Sequence, residues 1–457
     1  MGQKSYEMDM CSGPLLGKMI LFALPLMVSS ILQLLFNAAD IIVVGKFAGN
    51  QALAAVGSTG ALINLIVNLF IGLSVGTNVL VARYYGAHQG EDLSETIHTS
   101  ILASVIGGAI LVVIGLVVAE PLLHLMGTPD DVIEQSSLYM RIYFIGMPVN
   151  MLYNFGSAIL RAVGDTKRPL YFLLVAGVIN VVLNLIFVIV FSMGVAGVAT
   201  ATIISQAISA LLIVYCLIRS QGLYQLHLKK LRIHMDKLGK MVRIGLPAGM
   251  QGAIFSISNV LIQSSINSFG STVMAGNTAA SNIEGFVYVS MNAVHQTTLS
   301  FTSQNLGAKQ YKRIEKVLLL SLALVTVIGV ALGGGAYLLG NTLLRIYSTD
   351  AEIIHYGMLR MAYVCVPYFL CGVMEVMVGS LRGLGYSIMP MIVSLAGACG
   401  LRILWLYTLF AMDPTLPMLY ISYPVSWFVT AAVHGICYLV VRRKFIHKEE
   451  PAAPAVE

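Results

Sequence analysis

Ile101-Leu102-Ala103-Ser104-Val105-Ile106-Gly107-Gly108-Ala109-Ile110-Leu111-Val112-Val113-Ile114-Gly115-Leu116-Val117-Val118 runs without a charge or a proline. About 20 such residues wound as a helix cross the hydrocarbon of a bilayer. Strands of a membrane barrel would alternate apolar and polar side chains, and this stretch does not. It reads as a transmembrane helix. Working outward in both directions, eleven further stretches read the same way, giving spans at roughly 16–40, 52–80, 96–119, 136–160, 168–191, 195–218, 243–268, 278–303, 316–339, 357–381, 386–410 and 417–440.

Composition agrees with that reading. The 457 residues are 57% hydrophobic and 11% charged, against roughly 25% charged in soluble chains. So few charges cannot cover a water-facing surface of this size, whereas a lipid-facing one needs none. The net charge of +6 sits in short tracts between apolar runs, which orients helices in a membrane and does not build a nucleic-acid groove. Cys11, Cys216, Cys365, Cys371, Cys399 and Cys437 form neither a metal-ligand spacing nor a disulfide framework. The run from Leu15 onward leads into a polar-spiked helix and not a cleavable signal peptide.

With the N-terminus inside, 22 of the 27 Lys and Arg residues fall on the inner side, from Lys4 and Lys18 through the 219–243 tract to Lys448. Lys46, Arg141, Arg345, Arg360 and Arg402 are left for the outer side and the membrane interior. The outer loops are acidic, as at Asp130, Asp131 and Glu134. This bias predicts a multi-pass plasma-membrane protein with both termini cytoplasmic.

The two halves match at an offset near 221 residues. Ala82-Arg83-Tyr84-Tyr85-Gly86-Ala87-His88-Gln89 parallels Ser303-Gln304-Asn305-Leu306-Gly307-Ala308-Lys309-Gln310. Leu160-Arg161-Ala162-Val163-Gly164 parallels Leu381-Arg382-Gly383-Leu384-Gly385, Pro169 parallels Pro390, and Pro25 parallels Pro247. Six spans per half is an even number, so both halves enter from the same side and the repeat is parallel. The predicted fold is all-α: twelve transmembrane helices in two six-helix lobes, with a cleft lined by spans 1, 2, 7 and 8. The expected domains are a cytoplasmic tail at 1–14, an N-lobe at 15–218, a basic linker at 219–242, a C-lobe at 243–440 and a second tail at 441–457. Glycines inside spans, such as Gly72, Gly76, Gly107, Gly108, Gly194 and Gly197, read first as close helix packing.

Polar residues at membrane depth are expensive and mark pathways. Gln33, Asn37 and Asp40 share one face of the first span. Asn64 and Asn68, Asn180 and Asn184, and Thr202 and Gln206 are pairs one turn apart in spans 2, 5 and 6. Together with Asp40 they predict a hydrated pocket in the first lobe. In the second lobe Glu284 and His295 share a face, Tyr288 lies between them, and Glu375 and Arg402 occupy neighbouring spans, where they suit a structural ion pair or, for Glu375, a functional carboxylate in the substrate cleft. His295 suits either a proton relay or a satisfied core position.

The ordered set of motifs resembles the multidrug and toxic compound extrusion (MATE) transporters. It comprises Gln33-Leu34-Leu35-Phe36-Asn37-Ala38-Ala39-Asp40, Val44-Gly45, Ala52-Leu53-Ala54-Ala55-Val56-Gly57, Leu160-Arg161-Ala162-Val163-Gly164-Asp165-Thr166 and Gly194-Val195-Ala196-Gly197-Val198-Ala199-Thr200-Ala201-Thr202. Gln304-Asn305-Leu306-Gly307-Ala308 and Leu381-Arg382-Gly383-Leu384-Gly385 continue it in the second half. The resemblance implies a monomeric, cofactor-free antiporter that exports organic cations, drugs or other amphipathic compounds by alternating access, coupled to inward H+ or Na+. Asp40, Asn180, Asn184 and Thr202 match the family's first-lobe cation cluster and are the implied Na+ ligands. Asn184 stands where some branches carry a carboxylate, the seventh span has none, and Glu375 is one turn from the expected place in the tenth. Glu284 resembles the acidic position of another bacterial subgroup. A lipid-linked glycan flippase is the alternative, although its phosphate would call for several deep bases. An enzyme would need a converging nucleophile–base or metal set, which the sequence does not offer.

Overall fold

A computed structural model describes residues 6–446, so Lys4, Lys448 and the outer ends of the two predicted tails lie outside it. The first nine helices are α1 (Leu15–Phe47), α2 (Asn50–Gly86), α3 (Gly90–Leu125), α4 (Asp130–Ile145), α5 (Met147–Ala162), α6 (Lys167–Leu185), α7 (Gly194–Arg219), α8 (Met235–Asn267) and α9 (Ser271–Gly307). The rest are α10 (Tyr311–Leu338), α11 (Gly340–Arg345), α12 (Ala351–Arg360), α13 (Phe369–Gly383), α14 (Ile388–Ser394), α15 (Leu401–Tyr407), α16 (Leu409–Met412), α17 (Leu416–Tyr420) and α18 (Ser422–Ile446). Among the described residues no strand occurs.

The predicted spans fall on this series in order. Among the described residues, ten helical segments are long and apolar enough to cross a membrane. The other two spans are departures with local causes. The fourth is divided at Gly146 into α4 and α5, each of 16 residues and too short alone. The eighth, α9, is 37 residues long but carries Asn277, Glu284 and His295, which lower its hydropathy. Three spans contain a wide π turn, at Ile186–Val190, Met361–Cys365 and Leu395–Gly400. Such turns displace side chains from the regular helical register and recur at functional positions.

The repeat is written into the backbone. Left-handed φ values occur at Gly49 (93°) and Gly270 (101°), at His88 (55°) and Lys309 (57°), and at Gly164 (96°) and Gly385 (95°). Members of each pair stand 221 positions apart, the offset of the sequence motifs. The first pair precedes α2 and α9, the second makes the turns that follow them, and the third stops α5 and α13. Left-handed backbone costs a side-chain-bearing residue roughly 1–2 kcal/mol, which accounts for glycine at two of the three pairs.

Contacts group residues 6–9 with Ile20–Ser256, and Met10–Met19 with residues 257–446. In the first unit α2 packs against α3, α4 and α5, and in the second α9 packs against α10, α12 and α13. The opening half of α8 belongs to the first unit because glycines let it cross α2 at backbone contact. A Cβ on Gly72 would lie 2.2 Å from the Gly249 nitrogen, and one on Gly76 would lie 2.2 Å from the Met241 carbonyl oxygen. At these two positions the packing reading of the glycines holds.

The N-terminal segment is fastened and not a free tail. The Glu7 carboxylate accepts from the Tyr85 hydroxyl at 2.8 Å and the Tyr224 hydroxyl at 2.9 Å in the first unit. In the second unit Arg313 donates to the carbonyls of Met10, Ser12 and Gly13 at 2.9–3.1 Å. In the α5–α6 turn, the Asp165 carboxylate accepts from the Lys167 and Arg168 amides at 3.2 and 3.1 Å, capping α6. Burial pushes the Asp165 carboxyl above its ordinary range, against the opposing pull of the Arg168 guanidinium.

Candidate functional site

In the first unit, two helices aim polar groups at one place. Asp40 lies near the end of α1, and Asn180 and Asn184 lie one turn apart on α6, just before its π turn. Asn184 Nδ2 donates to Asp40 Oδ1 and to Asn180 Oδ1, the latter at 3.3 Å. The structure thus joins three of the four residues expected to form the cation cluster. Thr202 is tied differently, since its hydroxyl donates to the Val198 carbonyl of its own helix at 3.0 Å. Asn184 is wholly buried, and its Oδ1 has no hydrogen-bond partner. An orphaned buried acceptor costs about 1–3 kcal/mol and invites a proton donor or a cation. Among the described residues no cationic side chain pairs with Asp40.

A further part of this site escaped the sequence reading. Tyr139 and Tyr143 stack at 6.2 Å on α4, both within electrostatic reach of Asp40. The Tyr143 phenol lies near the side chain of Gln206, which brings that residue beside the cluster. Their spacing of one turn was the available signal, hidden in a span whose first half is amphipathic. Gln33, Asn37 and Asn64 are exposed and Asn68 is half-buried. None of these four hydrogen-bonds Asp40.

The second unit is arranged on another plan. Glu284, the acidic position that the family resemblance singled out, is not an open carboxylate. Arg360 grips it bidentately, Nε to Oε1 at 3.0 Å and Nη2 to Oε2 at 2.8 Å, with both residues buried. The remaining Nη1 donates to Asn277 Oδ1 at 2.8 Å, which also accepts from the Tyr420 hydroxyl at 3.2 Å. Arg360 comes from α12, directly before a π turn, and 76 residues of sequence separate it from its partner. The forked geometry compensates the charge of Glu284, so this carboxylate holds no free charge for a cationic substrate.

The expected ion pair between Glu375 and Arg402 is also replaced. Glu375 lies beside His295, whose Nδ1 donates to the Glu375 carbonyl at 2.6 Å and sits 3.6 Å from its Oε2. That bond fixes the ring and gives His295 the satisfied position. Arg402, two residues past the π turn of the eleventh span, donates Nε to Ser426 Oγ at 2.8 Å. Its guanidinium lies over the rings of Tyr423 at 4.4 Å and Trp427 at 5.4 Å. Trp427 continues to Tyr368 at 5.2 Å, and Tyr368 to the part-exposed Tyr288 at 6.5 Å. Arg402 is 7% exposed and, among the described residues, has no carboxylate partner. Removing an ion from water costs several kcal/mol. A desolvated cation–π contact returns about 2 kcal/mol and one charged hydrogen bond about 1.5–3 kcal/mol. Among the described residues the two Nη groups have no acceptor.

Comparison with known proteins places this geometry. The family described as MatE matches twice, over residues 25–186 and 247–408, an offset of 222. "Probable multidrug resistance protein YoeA" of Bacillus subtilis (strain 168) is 28% identical over 392 residues, covering 84% of this chain and 85% of that protein. The "FAD transporter" of Shewanella oneidensis is 24% identical over 352 residues, covering 75% of this chain and 76% of that one. A structure described as the outward-facing conformation of a multidrug resistance MATE family transporter of the MOP superfamily aligns with a TM-score of 0.90 at 23% identity, covering 98% of this chain and all of that one.

Proposed function

The chain belongs to the MatE family, and we propose that it is an integral membrane antiporter exporting amphipathic organic compounds in exchange for inward H+ or Na+. One observation carries the coupling: Asp40 is a carboxylate at membrane depth with amide neighbours and no cationic partner among the described residues. An ionised carboxylate there costs about 3 kcal/mol by insertion measurements until a cation joins it. A proton or a sodium ion removes that cost, and the N-lobe then favours a different state by the difference in binding between the two. The neutral oxygens of Asn180 and Asn184, one of them orphaned, suit a hard ion such as Na+. A proton on Asp40 would serve the same orphaned oxygen by offering it a donor.

Alternating access would then move substrate past the N-lobe (15–218) and C-lobe (243–440), with both termini on the cytoplasmic side. The exposed Gln33, Asn37 and Tyr288 supply polar and aromatic contacts for an amphipathic cargo. A cationic cargo lost its main support when Glu284 was found paired. A relative known as an FAD transporter also extends the family's cargo beyond cations. The flippase reading would call for several unpaired bases around one lipid phosphate, whereas Arg360 is taken up by Glu284 and Arg402 bonds Ser426.

The test is flux in proteoliposomes. A proton gradient and a sodium gradient are imposed separately, and efflux of a fluorescent amphipath is followed. Efflux that accelerates with one of them is expected. Flux indifferent to both gradients would end the antiport reading.

A further inference from the structure

The buried ionisable groups of the second unit do not balance. They are Glu284 and Glu375 against Arg360, Arg382 and Arg402, with His295 and His434 beside them. Arg360 is consumed by Glu284. Glu375 lies against His295 and within electrostatic reach of Arg382. Arg402 is left as a guanidinium with, among the described residues, Ser426 as its one hydrogen-bond acceptor and the rings of Tyr423 and Trp427 beside it.

We propose that Arg402 receives the carboxylate of an aromatic organic acid, whose ring system packs against Tyr368 and Tyr288, the accessible end of the Tyr423–Trp427–Tyr368–Tyr288 row. This deepens the antiporter reading and rests on it, by naming the class of cargo. A guanidinium offers a planar fork that matches a carboxylate bidentately. Its Nε is already engaged and, among the described residues, its two Nη groups have no acceptor, which leaves the end-on edge for a ligand. The Ser426 bond and the stack on Tyr423 and Trp427 hold the group in one orientation before any ligand arrives, so little ordering is needed on binding. The chain of rings from Trp427 at 5.2 Å to Tyr368 and at 6.5 Å to the part-exposed Tyr288 runs outward from the buried cation. An apolar aromatic body can lie against it while the acid reaches inward.

Equilibrium binding tests this without any gradient, so its outcome stands whether or not antiport is found. Three probes share one ring system and differ in charge: pyrenebutyrate, pyrenebutanol and pyrenebutyltrimethylammonium. The full-length protein in neutral detergent is titrated with each. Energy transfer is read from its two tryptophans, one of which is Trp427. The carboxylate is expected to bind at least about tenfold tighter than the alcohol, and the ammonium no better than the alcohol. Arg402→Gln should erase the preference while leaving the alcohol unchanged, and Arg402→Lys should keep part of it. Ser426→Ala, which frees the Nε, should weaken the carboxylate alone. Equal affinities for all three probes on the parent protein overturn the proposal, even if Arg402→Gln fails to fold. A preference that survives in Arg402→Gln overturns it too. If nanodiscs containing phosphatidylglycerol abolish the preference, the occupant is a lipid headgroup and the cargo assignment falls.

Discussion

Asp40 and Glu284 are both carboxylates within the spans of their units, yet they have opposite fates. Among the described residues Asp40 hydrogen-bonds only the Asn184 amide, in a setting of asparagines and tyrosines. Glu284 is held by both arms of Arg360 and sealed with Asn277 and Tyr420. The two units copy each other in backbone, down to the left-handed residues that stop and start their helices. They do not copy each other in charge. A parallel repeat therefore conserves what sets helix direction and leaves the interior polar groups to diverge. One unit has a carboxylate with no cationic side chain beside it among the described residues, and the other pairs Glu284 with Arg360 and leaves the Arg402 guanidinium without a carboxylate.

The largest expected effect tests the open half of that comparison. Asp40→Asn should abolish gradient-driven export in vesicles while moving the melting temperature by no more than a few degrees. The amide fills the same volume and still faces Asn184, but it cannot gain or lose charge. Uphill export near the parental rate from a well-folded Asp40→Asn protein would reduce Asp40 to a helix-end residue.

The next effect tests the closed half. Glu284→Gln should destabilise the protein by about 3 kcal/mol, read as a lower thermal midpoint in detergent. That is the low end of the cost of stranding one member of a buried pair, because the amide still accepts one bond from Arg360. Substituting both members, Glu284→Gln with Arg360→Gln, should recover part of the loss. If the single variant melts like the parent and selectively loses positively charged cargo, Glu284 is a binding group after all.

Much of this was legible in the sequence and some was not, for separable reasons. Span number, the repeat and the turns follow from local patterns: long apolar runs, and Gly-containing motifs at a fixed offset. Asn180, Asn184 and Asp40 were found because helical spacing reveals which residues share a face. The Glu284–Arg360 pair was hidden because its members lie 76 positions apart on different helices, and no periodicity relates them. Arg360 had been noted only as a base without a place. Arg402 was given to Glu375 by proximity of spans, but the π turn at Leu395–Gly400 just before it re-registers the helix, and no composition rule anticipates such a turn. Tyr139 and Tyr143 were missed since tyrosine is at home in membrane helices and carries no charge to flag it.

The smallest effect sharpens the choice of ion. Asn184→Asp places a second carboxylate where an amide now bonds Asp40. Two ionised carboxylates in contact repel by an amount on the order of a few kcal/mol at the effective dielectric of protein sites. The repulsion disappears when one sodium ion lies between them, or when one of them is protonated. The variant replaces a neutral ligand oxygen with a charged one, and higher ligand charge tightens binding of a hard cation. Transport should therefore persist, with its sodium dependence strengthened: half-maximal rate at a several-fold lower Na+ concentration, measured at fixed pH with choline as the replacement ion. A parent protein driven by protons alone should acquire a sodium response that it lacked. If Asn184→Asp instead leaves the rates under both gradients unchanged, the amide takes no part in holding the ion. Asp40 would then act with the neighbouring Tyr139 and Tyr143 of α4.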